Sequence, residues 1–200
     1  MNYPDFFDDV VGIEMMDPLS NVLGTFEEGR VTFTYLEIVK AAGHSCPTVG
    51  GAYIMTYKAL QALYQDEMPM RGMIEVSFKE DLEEGVVGVI GNVVTHITGA
   101  TDKSGFKGLN KKFARHSLMN FNAEITSSAR FKRIDTGKTV DVYYDPSSIK
   151  PAAGMQPLMQ HILQGKATDE EIKEFGLLWQ ERVKRIIVDS IDLVVKVEER

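Results

Sequence analysis

The tetrad Asp135-Thr136-Gly137-Lys138 is the stretch that most restricts how this chain can fold. On either side of it side chains alternate in character, with Ala129, Phe131 and Arg133 in phase before it and Val140, Val142 and Tyr144 after it. Short alternating runs joined by a Gly-containing turn read as a β-hairpin. Two further alternating runs add strands, one with Ile74, Val76 and Phe78 in phase and one with Met119, Phe121, Ala123 and Ile125. Helical signals lie between and before them. Thr34 with Glu37 forms a capping box that Gly43 closes, and Pro47 opens a helix reaching to about Tyr64, with Val49, Tyr53, Tyr57, Leu60 and Leu63 inward. The fold class expected is α+β, an antiparallel or mixed sheet packed against helices with a C-terminal helical extension.

Residues 1–30 read as an arm, with a short helix at Asp17–Gly24 capped by Asp17. Asp145 to Pro151 reads as a boundary, dividing a core at residues 1–150 from an extension at 151–200. In the extension, Pro157 to Leu163 is a short helix and Thr168 with Glu171 caps a long one. Its apolar stripe of Ile172, Phe175, Trp179, Val183 and Ile186 has to cover the core or a second subunit, and Ile191 to Val197 alternates like a strand.

Charge and cysteine usage narrow the function. The formal charge is -7 with no basic stripe, which argues against nucleic acid. No apolar run approaches the ~20 residues that cross a bilayer, and the N-terminus lacks signal-peptide character. A single cysteine excludes an intramolecular disulfide and suits a reducing compartment. A cytoplasmic protein is the expectation.

The chemistry concentrates at Ala42-Gly43-His44-Ser45-Cys46-Pro47. The His-x-Cys spacing sets an imidazole near a thiol, and the helix starting at Pro47 directs free N–H groups toward Cys46, which favours a thiolate. Such a pair serves as half of a soft-metal site or as a Cys–His nucleophile pair; a buried, inert cysteine is the plain alternative. Gly50 and Gly51 each cost about 1 kcal/mol against Ala in a helix, so a neighbouring helix or a ligand comes close there, and packing needs no ligand. Of the other histidines, His116 and His161 read as structural. Lys103, Lys107 and the backbone around Gly105 and Gly108 form a loop that suits an anion, with a plain surface loop as the equal alternative because no phosphate-loop pattern is present.

The run Gly43-His44-Ser45-Cys46-Pro47, followed by a glycine-containing helix, resembles the signature of the formylmethanofuran dehydrogenase E-subunit family. Val93 to Thr101 is similar to that family's helix ending in Leu-Thr-Gly-Cys-Thr, and Gly105-Phe106-Lys107-Gly108 to its Gly-Lys-Gly loop. The resemblance spans roughly residues 30 to 145. The family carries cysteines where this chain has Ala100 and near Val89, an Asp at the position of Asn92 and a Gln at that of Thr95; its C-terminal zinc finger is absent here. The β-branched content of Ile90–Thr98 favours a strand, whereas the resemblance implies a helix bearing Asn92, Thr95, His96 and Gly99 on one face.

His44 and Cys46 carry over as metal ligands, and His96 is the candidate replacement for the missing cysteines. Asp102 and Lys107 are candidate ligand-binding residues. This donor set suits zinc first and also accepts nickel or iron. The function implied is an open Cys/His metal site for a small ligand or redox partner, in anaerobic one-carbon metabolism linked to molybdenum or tungsten. A homodimer and a molybdenum or tungsten oxidoreductase are the implied partners. The alternatives are a metal-free Cys–His enzyme and an assembly subunit whose Met-rich patches, Met15-Met16, Met68 and Met70, form an interface.

Overall fold

The computed structural model describes residues 2–200. The chain opens with β1 (Ile13–Met16), α1 (Pro18–Leu23) and β2 (Arg30–Phe33), and β1 and β2 pair antiparallel as a separate ribbon. Next come α2 (Tyr35–Ala42), α3 (Pro47–Tyr64), β3 (Ile74–Phe78) and α4 (Val87–Thr98). Three strands follow, β4 (Met119–Asn120), β5 (Ala129–Arg133) and β6 (Thr139–Tyr144). The chain ends with α5 (Met155–Leu163), α6 (Asp169–Lys184), a π-turn, α7 (Ile191–Val194) and β7 (Val195–Glu199).

The fold is α+β. Five strands form one mixed sheet in the order β4-β3-β5-β6-β7, with β3 and β4 parallel and every other pair antiparallel. The Asp135–Lys138 turn joins β5 to β6, with Gly137 at φ +76°. Helix α3 lies across β6 and β7 and packs against α4 along its other side. Its glycines explain how closely it docks. A Cβ on Gly50 would fall 2.7 Å from the Ile187 side chain, and one on Gly51 would fall 2.3 Å from the Tyr144 ring. Packing, then, is what approaches both positions.

Caps fall where the local chemistry puts them. Thr34 and Glu37 cap α2 reciprocally, Thr168 and Glu171 do the same for α6, and Asp17 accepts from Leu19 N–H and Ser20 N–H at α1. Other expectations need correction. The N-terminal stretch is no arm, because Phe6, Phe7, Val10 and Ile13 belong to the core and Phe7 meets Tyr35 edge-on. The Met119–Ile125 strand ends at Asn120, where Asn122 takes φ +55° and Ala123 N–H turns to the Phe78 carbonyl. Ile90–Thr98 is helical, since burying Val87, Val93, Val94 and Ile97 on one side outweighs β-branched propensity. Of the α6 stripe only the end is covered: Val183 and Ile186 are fully buried while Ile172 is 50% exposed.

Candidate functional site

Helix α2 ends at Gly43, whose φ of +77° turns the chain back so that His44 follows directly. His44 Nδ1 lies 3.1 Å from the Ala42 carbonyl oxygen. A carbonyl only accepts, so Nδ1 carries the proton in this hydrogen bond, and in the neutral tautomer the lone pair belongs to Nε2. His44 and His96, the latter in the last turn of α4, line one cavity of about 340 Å³. Ile38, Ala42, Val89 and Val93 give it apolar walls, and Asn92 adds a carboxamide.

Among the described residues, no hydrogen bond engages the His96 ring, which meets Phe33 edge-on at 5.8 Å between centroids. Burial, and then the nearby Arg71 charge, hold this imidazole below its ordinary 6.5. The ring is therefore neutral at pH 7 with a lone pair to offer. Arg71 is itself fixed: its guanidinium donates to the carbonyls of Ile97 and His96, at 3.0 and 3.1 Å, closing the C-terminus of α4.

The helix starting at Pro47 directs an N–H at Cys46, as expected. Cys46 is the N-cap of α3, its Sγ accepting from Val49 N–H at 3.4 Å, and it does not line the His44–His96 cavity. Among the described residues no three His, Cys, Asp or Glu side chains gather as a metal-holding group. Of the expected trio, His44 and His96 line one cavity and Cys46 caps α3 beside His44 in the chain. The segment between His44 and Cys46 is clamped from outside. Ser45 shares a 2.9 Å hydrogen bond with Tyr35 Oη, and its carbonyl accepts from Trp179 Nε1 and Gln180 Nε2 of α6.

The two expected ligand-binding residues lie elsewhere. Asp102 accepts from Ser104 N–H and Ser104 Oγ–H, which hold its carboxyl below the usual range, and it borders a separate cavity with Asn92 and Thr95. Lys107 is exposed on the 101–110 loop, whose glycines pack on the loop itself: Gly105 sits on Thr101 and Gly108 on the Lys112 carbonyl. His116 bonds Ser117 and His161 bonds Glu171, as structural histidines do.

Residues that share no sequence pattern also come together. Asp17 accepts from Arg71 Nη1 at 2.9 Å and from Arg115 Nη2 at 2.6 Å. Burial pushes the Asp17 carboxyl up, but Arg71, the Ser20 N–H and Arg115 outweigh it and hold it below the usual carboxylate range. Only the Asp17 cap was visible as a local pattern; the arginines reach it from far along the chain.

No protein-family model matches the chain, and no curated protein matches it in sequence. Among solved structures it is similar to a tungsten formylmethanofuran dehydrogenase FmdE-like protein from Syntrophus aciditrophicus, with a TM-score of 0.40 and 11% identity over 84% of this chain and 72% of that one.

Proposed function

We propose that this chain is a metal-binding protein that holds a divalent transition metal, zinc before nickel or iron, between His44 and His96. The observation that carries the reading is that two imidazoles distant in sequence line one cavity, with the His44 ring oriented by the Ala42 carbonyl and the neutral form of His96 favoured by burial. Two nitrogen donors fit such an ion, and the Ala42 carbonyl orients the His44 ring in the way a liganding imidazole is usually oriented. Protein ligands fewer than four leave positions for a small molecule, which the apolar walls of the cavity would receive. The metal would supply Lewis acidity toward that molecule. His44 and His96 bind, the Ala42 carbonyl holds the His44 tautomer, and Arg71 with Phe33 fixes the His96 end of α4.

The motif resemblance supports the same cavity. Val89 and Asn92, at or near positions where the family carries a cysteine and an aspartate, line it together with the two histidines. A setting in anaerobic one-carbon metabolism, a homodimer and a molybdenum or tungsten oxidoreductase partner belong to this proposal through the resemblance alone. The metal-free Cys–His reading has less support, since Cys46 Sγ is engaged by Val49 N–H and no hydrogen bond joins it to His44 among the described residues.

Elemental analysis of protein purified without chelator tests the proposal, for the native chain and for His44→Ala and His96→Ala. About one equivalent of metal in the native chain, reduced in both variants, is expected. Native protein that takes up no zinc, nickel or iron when these are supplied would sink it.

A further inference from the structure

A second cavity, of about 470 Å³, opens beside Asp17 and is walled by four cations, Arg71, Lys111, Lys112 and Arg115. No acidic side chain lines it among the described residues, and the Asp17 carboxylate behind it is already occupied by two backbone N–H groups and two guanidinium groups. Positive charge is thus in excess at this place in a chain whose formal charge is -7.

Arg115 is the unusual member. It is only 6% exposed, and its Nη1 is buried without any hydrogen-bond partner. Buried guanidinium donors are ordinarily paired, because leaving one unpaired forfeits its hydration with nothing in return. The backbone is shaped around this atom. A Cβ on Gly72 would fall 1.7 Å from Nη1 and one on Gly99 would fall 3.0 Å from it, and both glycines hold left-handed φ values of +80° and +74°. Arg71 is committed to Asp17 and to the end of α4, and Arg115 Nη1 is enclosed by Gly72 and Gly99, so both guanidinium groups contribute charge from behind while Lys111 and Lys112 are the exposed donors.

The remaining wall is apolar. Met73, Phe113, Leu118 and Ile134 line it, and Ile134 stays 43% exposed although it is large and hydrophobic. Clustered cations with exposed ammonium groups match carboxylate and phosphate groups, and apolar walls match a hydrocarbon body. The geometry points to a binding site for a small organic anion, a carboxylate or phosphate monoester on an apolar body, with Lys111 and Lys112 taking the anionic group in the field of Arg71 and Arg115, and Met73, Leu118 and Ile134 taking the body.

Titration calorimetry of the full chain with phenyl phosphate, benzoate and inorganic phosphate tests this, with backbone amide shifts followed in parallel. Either aromatic anion is expected to bind with a dissociation constant of about 1 mM or tighter, and inorganic phosphate about tenfold more weakly. The stronger of the two aromatic probes assigns the anionic group. Amide shifts should centre on residues 70–73 and 111–118. Arg115 is too buried for a clean variant, so Lys111→Glu with Lys112→Glu is the informative change: both side chains are exposed, and the pair should weaken the aromatic anion at least about tenfold with the thermal midpoint unchanged. Failure of both aromatic probes to bind at about 10 mM would overturn the site. So would equal affinity for inorganic phosphate, indifference to the charge reversal, or shifts centred elsewhere.

Discussion

Tyr144, at the end of β6, donates its phenolic O–H to the Pro47 carbonyl at 2.6 Å and lays its ring directly on Gly51 of α3. Burial pushes the phenol well above its ordinary range, so it is a protonated donor at neutral pH. The contact fixes the start of α3, and with it the segment that carries His44, against the sheet.

The fit between Tyr144 and Gly51 makes two glycine substitutions differ in sign. Gly→Ala in a helix interior gains about 1 kcal/mol of propensity. At Gly51 the new methyl would meet ring atoms at 2.3 and 2.4 Å, and overpacking of that kind costs about 1–3 kcal/mol. At Gly176, inside α6, nothing lies within 4 Å. Gly51→Ala should therefore lower the urea midpoint and Gly176→Ala should raise it. Equal stabilisation by both would show that Tyr144 yields without cost.

Asp141 should carry a large share of the acid sensitivity. Its side chain is fully buried and accepts from Arg130, Arg200 and Ser127, with Arg130 bidentate at 2.7 and 2.9 Å. Arg130 foremost, against the opposing effect of burial and with help from Arg200 and Ser127, holds the carboxyl at about 2. A folded-state value below the unfolded one gives stability that is complete above the ordinary 3.8 and lost as pH falls from there toward 2. The partly exposed arginines limit the effect to about 1–2 kcal/mol. Urea unfolding of Asp141→Asn should show that loss at pH 7 and a flatter stability profile below about pH 4. A native-like acid slope in the variant would move the sensitivity to other carboxylates.

What the sequence made legible was local chemistry. The Thr34–Glu37 and Thr168–Glu171 boxes, the Asp17 cap and the Asp135–Lys138 turn each lie within a few residues, and each formed where it was expected. Helix α4 shows the limit of propensity: its valines favour a strand one by one, and only the burial of one helical side decides otherwise. Spacing showed that Cys46 was near His44 in the chain but not which way its sulfur turned. The β1–β2 ribbon, the Asp17–Arg115 pair and the grip of Trp179 on Ser45 are long-range contacts, and no period or spacing encodes them.

Cys46 separates helix capping from metal binding. Serine caps helices well and would accept from Val49 N–H as the sulfur does. Cys46→Ser should keep the thermal midpoint and retain whatever metal the native chain holds, while His44→Ala and His96→Ala lose it. Elemental analysis of the three variants together makes the comparison. Metal loss in Cys46→Ser equal to that in the histidine variants would return the sulfur to the ligand set.

Trp179 links the C-terminal helix to the His44 segment. Its indole N–H donates to the Ser45 carbonyl at 3.0 Å, with Gln180 Nε2 on the same oxygen at 3.2 Å. Ser45 adjoins His44, so this clamp sets where the imidazole sits, although α6 contributes nothing to the cavity lining. Trp179→Phe keeps the ring and deletes the donor, leaving Gln180 to hold the carbonyl alone. One hydrogen bond of this kind is worth about 1 kcal/mol, so the variant should stay folded and lose a few-fold in metal affinity. Competition with a chromophoric chelator measures that loss, and because Trp179 is the only tryptophan, its emission in the native chain should change as metal binds. Silent fluorescence and native affinity in the variant would mean that α6 covers the segment without positioning His44.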